Sequence, residues 1–138
     1  MTFFVDANVI VYSRRSIEQR EPCLRLLSRI ASGDLNGKTS PAVIEEVWHL
    51  ELSGRVGSLD GLTESAHALF APTLVVTDEI VKAALALRVD GMGANDRIHV
   101  ATCMVNHIDV IVSSDADFDG IRGIKRVDPL DERAISRL

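Results

Sequence analysis

The chain has 138 residues and a mass of 15.1 kDa, which is enough for one domain with its own apolar core. Apolar residues make up 46% and charged residues 25%, a balance that excludes disorder across the whole chain. The net charge of -5 excludes a uniformly basic surface that would hold nucleic acid by charge alone. We therefore expect a single domain over residues 1–138, in which a polyanionic partner would need a local basic patch or a bound cation.

No apolar stretch approaches the roughly 18 residues that span a bilayer, and the start of the chain lacks the basic residues of a signal peptide. The two cysteines, Cys23 and Cys103, do not make a disulfide framework. These features predict a cytoplasmic protein without membrane contact, in which both cysteines are small buried residues.

The predicted elements begin with a buried strand over residues 2–5 and a short helix over 9–12, which Asp6 and Asn8 can cap. The spacing of apolar residues predicts further helices over 23–31, 41 to about 54, 62–70, 78–87 and 96 to about 106. The expected N-cap residues of the later helices are Ser40, Thr77 and Asn95. Apolar runs predict strands over 74–76, 110–112 and 126–128, with a polar loop over 113–123 and a fraying helix at the end.

Strands and helices alternate along the chain, which predicts an α/β sandwich with a mostly parallel sheet. Ligands of such sheets bind beyond the carboxyl ends of the strands. Asp6 follows the first predicted strand directly, and Asp115 comes just after the strand over 110–112. Both acids are therefore expected at the edge where a site forms, although either one alone could be an ordinary loop acid or a helix cap.

Two further acids lie on predicted helices. On a helical wheel Glu46 falls at the border of the apolar stripe of its helix, whereas Glu45 faces water. Asp96 lies in the first turn of a helix that is largely apolar, on the same stripe as Val100 and Cys103. Glu46 could instead extend into solvent, and Asp96 could serve only to stabilise the start of its helix.

Convergence of these four acids would raise their pKa values by mutual repulsion, which a divalent cation would relieve. A site made of oxygen ligands favours a hard ion such as Mg²⁺ or Mn²⁺. No cysteine and histidine spacing suits zinc. The histidines are expected to be surface or core-edge residues: His49, His67, His99 and His107.

Four segments match the motifs of a known family in order and spacing: Val5-Asp6-Ala7-Asn8, Ser40-Pro41-Ala42-Val43-Ile44-Glu45-Glu46-Val47, Asn95-Asp96-Arg97-Ile98-His99-Val100-Ala101 and Val112-Ser113-Ser114-Asp115-Ala116-Asp117-Phe118. The chain thereby resembles the PIN domain, and in particular the VapC-type toxin ribonucleases of bacteria and archaea. The resemblance covers nearly the whole chain. It implies a three-layer α/β/α sandwich and an Mg²⁺- or Mn²⁺-dependent endoribonuclease, the toxin of a toxin–antitoxin system.

The resemblance also implies roles for individual residues. The positions that match the family's catalytic acids are Asp6, Glu46, Asp96 and Asp115. The implied metal ligands are Asp6, Asp96 and Asp115, with Asp117 and Glu46 as further candidates. Glu46 could instead orient the attacking water, while Asn8 and Ser113 match polar positions that line the family's site. A bound cation would also let a chain of net charge -5 accept a phosphate.

Local basic residues could contact RNA phosphates, or could form only surface salt bridges: Arg14, Arg15 and Arg97. By resemblance, the partners are a small VapB-like antitoxin and a second copy of the chain in a homodimer. Trp48 is expected to pack in the core or at an interface and not to stack on a base.

Two other interpretations remain open from the sequence. A catalytically silent PIN-like module would bind RNA or a partner without cleaving it, although all four acids are present. Another Mg²⁺-dependent phosphohydrolase would also place an acid such as Asp6 after the first strand. An aspartyl-phosphate enzyme, however, needs a second aspartate two residues later, where this chain has Asn8.

Overall fold

The computed structural model describes all 138 residues, and its centre is a sheet of four parallel strands. The strands are β1 (Thr2–Val5), β2 (Asn36–Lys38), β3 (Val110–Val112) and β4 (Lys125–Val127). Their order in the sheet is β2-β1-β3-β4, so β1 and β3 are the inner strands. Inner strands of a parallel sheet are covered on both faces, which explains why their side chains are almost entirely apolar and buried.

Parallel strands require crossover connections, which contain α-helices before β3 and only a 3-10 turn between β3 and β4. The helices are α1 (Ala7–Tyr12), α2 (Arg20–Ala31), α3 (Pro41–Ser53), α4 (Leu62–Phe70), α5 (Asp78–Ala86), α6 (Ala94–Val105) and α7 (Glu132–Ile135), with a 3-10 turn at Ala116–Phe118. This arrangement confirms the predicted α/β/α fold class. None of the helices has both the length and the apolar composition needed to cross a bilayer.

One apolar core joins the inner strands to α6. Phe4 and Ile111 of the sheet and Val100 of α6 are completely buried in it. Cys23 and Cys103 are also buried there as free thiols, as predicted, and burial raises the pKa of each to about 12. The long helix α6 is therefore fixed against the sheet, which holds its first turn at the carboxyl ends of the strands.

The helix ends differ from the predictions by a few residues. α6 begins at Ala94 with Gly93 as N-cap, so the prediction of Asn95 as the cap is wrong and Asn95 lies in the first turn. Gly93 has the extended backbone that an N-cap needs, with φ -70° and ψ 166°. Thr77 does cap α5, since its hydroxyl accepts from the Ile80 amide at 3.3 Å. Ser40 occupies the N-cap position of α3, but its buried hydroxyl makes no hydrogen bond.

The predicted strand over residues 74–76 is wrong. This segment makes a single backbone bond to the chain after β2, from the Leu74 amide to the Thr39 carbonyl at 2.9 Å. Val75 is 70% exposed, so the apolar run is not buried in a sheet. High β propensity without a pairing partner gives an extended segment and no strand.

The edge strand β2 was not predicted, because Asn36-Gly37-Lys38 carries no apolar pattern. It forms by parallel pairing with β1, in which Phe3 lies opposite Gly37. A Cβ atom at Gly37 would lie 2.5 Å from Ile30 Cδ1, so helix α2 packs directly on the backbone of β2. A larger residue at this position would displace the side chain of Ile30.

Candidate active site

The candidate site lies where β1 and β3 end side by side. Val5 and Val112 are partners in the sheet, and the Asp6 amide donates to the Val112 carbonyl at 3.1 Å. This pairing brings Asp6 next to Ser113, the first residue after β3. The carboxyl ends of the inner strands thus form one edge, where the parallel sheet was expected to carry a site.

Asp6 is 4% exposed, and three donors fix its carboxylate. The Ala7 amide donates to Oδ1 at 2.8 Å, while Asn8 Nδ2 and Ser113 Oγ donate to Oδ2 at 2.9 and 2.6 Å. Burial raises the pKa of Asp6, and the nearby His99 and the hydrogen bonds from Ser113 and Ala7 offset only part of this shift. The hydrogen bonds therefore fix the Asp6 side chain, while its surroundings only partly offset the cost of a buried negative charge.

Ser113 links the segments on either side of Asp6. Its hydroxyl donates to Asp6 and accepts from Asn8 Nδ2 and from the Asp115 amide, both at 3.0 Å. Asn8 Oδ1 in turn accepts from the Ser114 amide at 3.1 Å. These bonds fix the start of the loop that carries Asp115 relative to the first turn of α1.

Asp96 and Glu46 reach the same edge from the helices α6 and α3. The pKa of Asp96 is raised to about 6, first by burial and then by the negative charge of Asp6. The charges of Asp115 and Glu46 act in the same direction, while His99 opposes them. The other three predicted acids thus all lie close enough to Asp96 to raise its pKa.

These acids line an open cleft with a volume of about 620 Å³. Glu45 also lies on the cleft wall, on the exposed side of α3. Tyr12, Arg15 and Leu50 contribute to the rest of the lining, so the cleft has apolar and cationic surface beside its acidic part. A cleft of this size is within the range of small-molecule and cofactor sites.

The prediction that His99 is a surface or core-edge residue is wrong. His99 is completely buried, and its Nε2 lies 3.4 Å from Glu46 Oε2 and 3.9 Å from Asp6 Oδ1. Burial lowers the pKa of His99, but the hydrogen bond to Glu46 and the charges of Asp6 and Glu46 raise it, and the net direction is upward. The spacing of Asp96 and His99, one turn apart on α6, could have indicated that both face the site.

Comparison with known proteins identifies the fold family. The family model for the PIN domain matches residues 3–124, which include all four acids. The chain belongs to the PIN-domain family. The resemblance of the four sequence segments is thereby confirmed.

Individual relatives agree with this membership. The chain is 30% identical over 135 residues to ribonuclease VapC37 of Mycobacterium tuberculosis, covering 88% of this chain and 92% of that protein. A toxin–antitoxin complex from Klebsiella pneumoniae contains a chain of the same fold, with a TM-score of 0.67 and 19% identity, covering 92% of this chain and 97% of that one. The crystal structure of VapBC2 from Rickettsia felis, bound to a DNA fragment from their promoter, gives a TM-score of 0.66 and 14% identity, with coverage of 93% and 98%.

The donor set of this PIN domain fits a hard divalent cation. No lysine or arginine pairs with the four acids, and the only ionisable partner is His99. Ligand atoms in each of two groups lie within 4.8 Å of one another: Asp6, Glu46 and His99 in one, and Asp96, Asp115 and Asp117 in the other. Converging carboxylates without a lysine or arginine to neutralise them are the surroundings in which such an ion is stable.

Asp115 and Asp117 have different positions relative to the cleft. Asp115 is partly buried and lines the cleft, whereas Asp117 is exposed and lies outside its wall. The Asp117 amide donates to Asp115 Oδ1 at 2.9 Å, which caps the 3-10 turn and orients the Asp115 carboxylate. Asp115 therefore lies on the cleft wall with the other three acids, and Asp117 does not.

The three arginines proposed for phosphate contact lie in different environments. Arg15 is the only lysine or arginine that lines the cleft, and its guanidinium makes no hydrogen bond or ion pair. Arg14 lies outside the cleft and donates to the Asp60 carbonyl at 3.4 Å.

The guanidinium of Arg97, the third predicted phosphate contact, is largely engaged by the protein backbone. It donates to the carbonyls of Met92, Leu87 and Val89 at 2.9, 3.1 and 2.8 Å. These bonds hold the irregular connection that leads into α6. Three of its five N–H donors are therefore directed to the backbone, so a contact to RNA could use only the remaining two.

We expect Arg97→Ala to destabilise the PIN domain by about 2 kcal/mol, because three backbone carbonyls lose a charged donor. Chemical denaturation measures this change. Arg97→Lys, which supplies one compact donor group in place of a planar fork, should recover only part of the loss. Full stability of Arg97→Ala would show that these bonds do not hold the connection.

A second arginine fixes the loop that carries Asp115. Arg126 donates to the Ser113 carbonyl at 3.0 Å and forms two bonds, at 2.8 and 3.2 Å, to the carboxylate of Asp119. It also contacts Asp128 at 3.1 Å. Arg126 therefore ties both ends of the loop to β4 and limits the movement of Asp115.

Proposed function

We propose that this PIN domain is a metal-dependent endoribonuclease that uses Mg²⁺ or Mn²⁺ and acts as the toxin of a toxin–antitoxin system. The observation that carries the proposal is the convergence of four carboxylates on one open cleft without a lysine or arginine partner. The similarity to a ribonuclease of the VapC type supports RNA as the substrate. Two free buried cysteines are consistent with a reducing, cytoplasmic location.

The residues divide into metal-holding and orienting groups. Asp6, Asp96 and Asp115 would hold the metal, with Asp117 and Glu46 as further candidates. When bound, the metal would neutralise charge on the phosphate and lower the pKa of a coordinated water. Asp6 offers a carboxylate that is already fixed by three hydrogen bonds, so little motion is lost on binding.

Glu46 is placed to orient the attacking water in this scheme. Its Oε2 is held by His99, and its side chain is 23% exposed, so the carboxylate faces the cleft. A carboxylate near a bound phosphate can accept a proton from water as it attacks phosphorus. Asn8 and Ser113 contribute by holding Asp6 and the start of the Asp115 loop, without contact to the RNA.

Arg15 is the residue of this cleft that we propose contacts an RNA phosphate. We expect Arg15→Ala to raise the KM for RNA about fivefold with a smaller change in kcat, since one exposed charge contact is lost. The dependence of log KM on log salt should also flatten by about 0.7. Arg14→Ala is the matched control, because it removes a neighbouring charge outside the cleft. Equal effects of the two variants would contradict a specific role for Arg15.

We further propose a VapB-like antitoxin and a second copy of the chain as protein partners. Trp48 is 53% exposed and Leu52 on the same helix is 75% exposed, so α3 offers apolar surface for contact. This exposure agrees with an interface role for Trp48 and not with core packing. The toxin–antitoxin assemblies of similar fold support the same kind of partner.

Cleavage of a mixed RNA pool by the purified protein tests the proposed function. We expect fragments with Mn²⁺, none with excess EDTA, and restored cleavage when Mn²⁺ is added back in excess. Asp96→Asn protein, purified in the same way, controls for contaminating ribonucleases. Well-folded protein that binds Mn²⁺ and leaves all RNAs intact would instead favour the catalytically silent module.

A further inference from the structure

His99 is a completely buried histidine whose two ring nitrogens have opposite surroundings. Nε2 faces the carboxylates of Glu46 and Asp6, at 3.4 and 3.9 Å. Nδ1 is also buried but has no hydrogen-bond partner. The ring packs against Phe4, with centroids 5.6 Å apart, so its orientation is set by the core.

The unpartnered Nδ1 indicates which nitrogen carries the proton. A neutral histidine that binds a metal through Nε2 must carry its proton on Nδ1, and such histidines almost always donate that proton to an acceptor. No acceptor faces Nδ1 here. A buried donor without a partner is unfavourable, so the arrangement favours a proton on Nε2, where the Glu46 carboxylate can accept it.

We propose that His99 is a positioning residue, which donates its Nε2 proton to Glu46 and is not itself a ligand of the metal. The proposal deepens the proposed nuclease function and rests on it. In the group of close ligand atoms formed by Asp6, Glu46 and His99, the histidine nitrogen would then position Glu46 and not bind the metal. The distances within this group would by themselves also allow coordination.

Glu46 depends on this donor because its carboxylate has no other hydrogen-bond partner in the protein. Its side chain is partly exposed at the cleft wall and would otherwise sample several rotamers in solvent. The bond crosses from α6 to α3, so one buried ring aligns an acid of α3 with Asp6 and Asp96. Second contacts of this kind typically change activity or metal affinity by about 10- to 100-fold when removed.

Nitrogen-15 NMR of the histidine rings tests the proton position in the unmodified protein. We expect His99 to show a protonated Nε2, both without metal and after addition of Mg²⁺. The exposed His49, His67 and His107 provide internal references for rings in contact with water. Loss of the Nε2 proton from His99 on addition of Mg²⁺ would show direct coordination and overturn the proposal.

Kinetics with two substitutions separates positioning from a structural role. His99→Leu should lower kcat about 10- to 100-fold, whereas His99→Gln, whose amide nitrogen can replace Nε2, should retain most activity. In a Glu46→Gln background, His99→Leu should add less than about threefold, because the carboxylate it positions is gone. Equal losses in both backgrounds would overturn the proposal.

The two kinds of failure are distinguishable. A protonated Nε2 in a protein that never cleaves RNA would leave the hydrogen bond intact and reject the nuclease function. Metal-dependent cleavage by a protein whose His99 carries its proton on Nδ1 would support the nuclease and reject the positioning role.

Discussion

Replacing Asp96 by asparagine is expected to lower metal-dependent RNA cleavage by about 100-fold or more. Asparagine keeps the size of the side chain but removes the charge that would hold the cation beside Asp6 and Asp115. A 100-fold decrease in rate corresponds to a loss of about 3 kcal/mol of transition-state stabilisation. This loss is modest for the removal of one metal ligand. Initial rates at saturating Mn²⁺ measure the effect.

The matched control for Asp96→Asn is Glu45→Gln, which removes an exposed acid from the same cleft wall. Its cleavage rate should stay within about threefold of the unmodified protein. Without metal, Asp96→Asn should also be at least as stable as the unmodified protein at neutral pH, because a crowded negative charge is gone. Cleavage that survives Asp96→Asn would move the active site away from this cleft.

Binding of Mn²⁺ is expected to raise the melting temperature by about 10 °C at an ion concentration of ~100 Kd. Such saturation adds roughly 2.7 kcal/mol to the free energy of unfolding, and each kcal/mol moves the melting temperature of a domain this size by about 3–4 °C. Differential scanning calorimetry with Mn²⁺, and then with EDTA, measures the change. Asp115→Asn should reduce the increase strongly, and the exposed Asp117→Asn should reduce it less.

The metal effect should depend on pH in a defined direction. The pKa of Asp96 is raised from 3.8 to about 6 in the folded protein, so without metal the folded state favours its protonated form. That stabilisation is complete below about pH 3.8 and is lost as the pH rises through about 6. Metal binds the ionised form, so the increase in melting temperature should be larger at pH 7.5 than at pH 5. An increase independent of pH would contradict metal binding at these acids.

The strand ends could be predicted because short-range patterns determine them. Asp6 and Asp115 follow compact apolar runs, and a parallel sheet brings the carboxyl ends of such runs together. Glu46 could be distinguished from Glu45 by its angle on a regular helix. These inferences need only the spacing of apolar residues along the chain and the rule that sites form at the carboxyl ends of parallel strands.

Other features could not be predicted because their causes lie in distant segments. β2 exists only because β1 offers an unpaired edge to Asn36-Gly37-Lys38, and residues 74–76 lack such an edge despite their β propensity. The sequence also gives no sign that three carbonyls upstream of α6 accept hydrogen bonds from Arg97. Sequence spacing identifies residue types that suit a task, whereas their actual partners depend on the packed fold.

The hydroxyl of Ser113 has a consequence for which sequences this site can tolerate. It uses its one proton and both of its lone pairs on Asp6, Asn8 and the Asp115 amide. Threonine alone among the other residues offers the same three bonds at this backbone distance, while alanine and cysteine would each leave buried polar groups without good partners. We therefore expect only serine and threonine at this position to preserve the arrangement of Asp6 and the Asp115 loop, even though the residue need never touch the substrate.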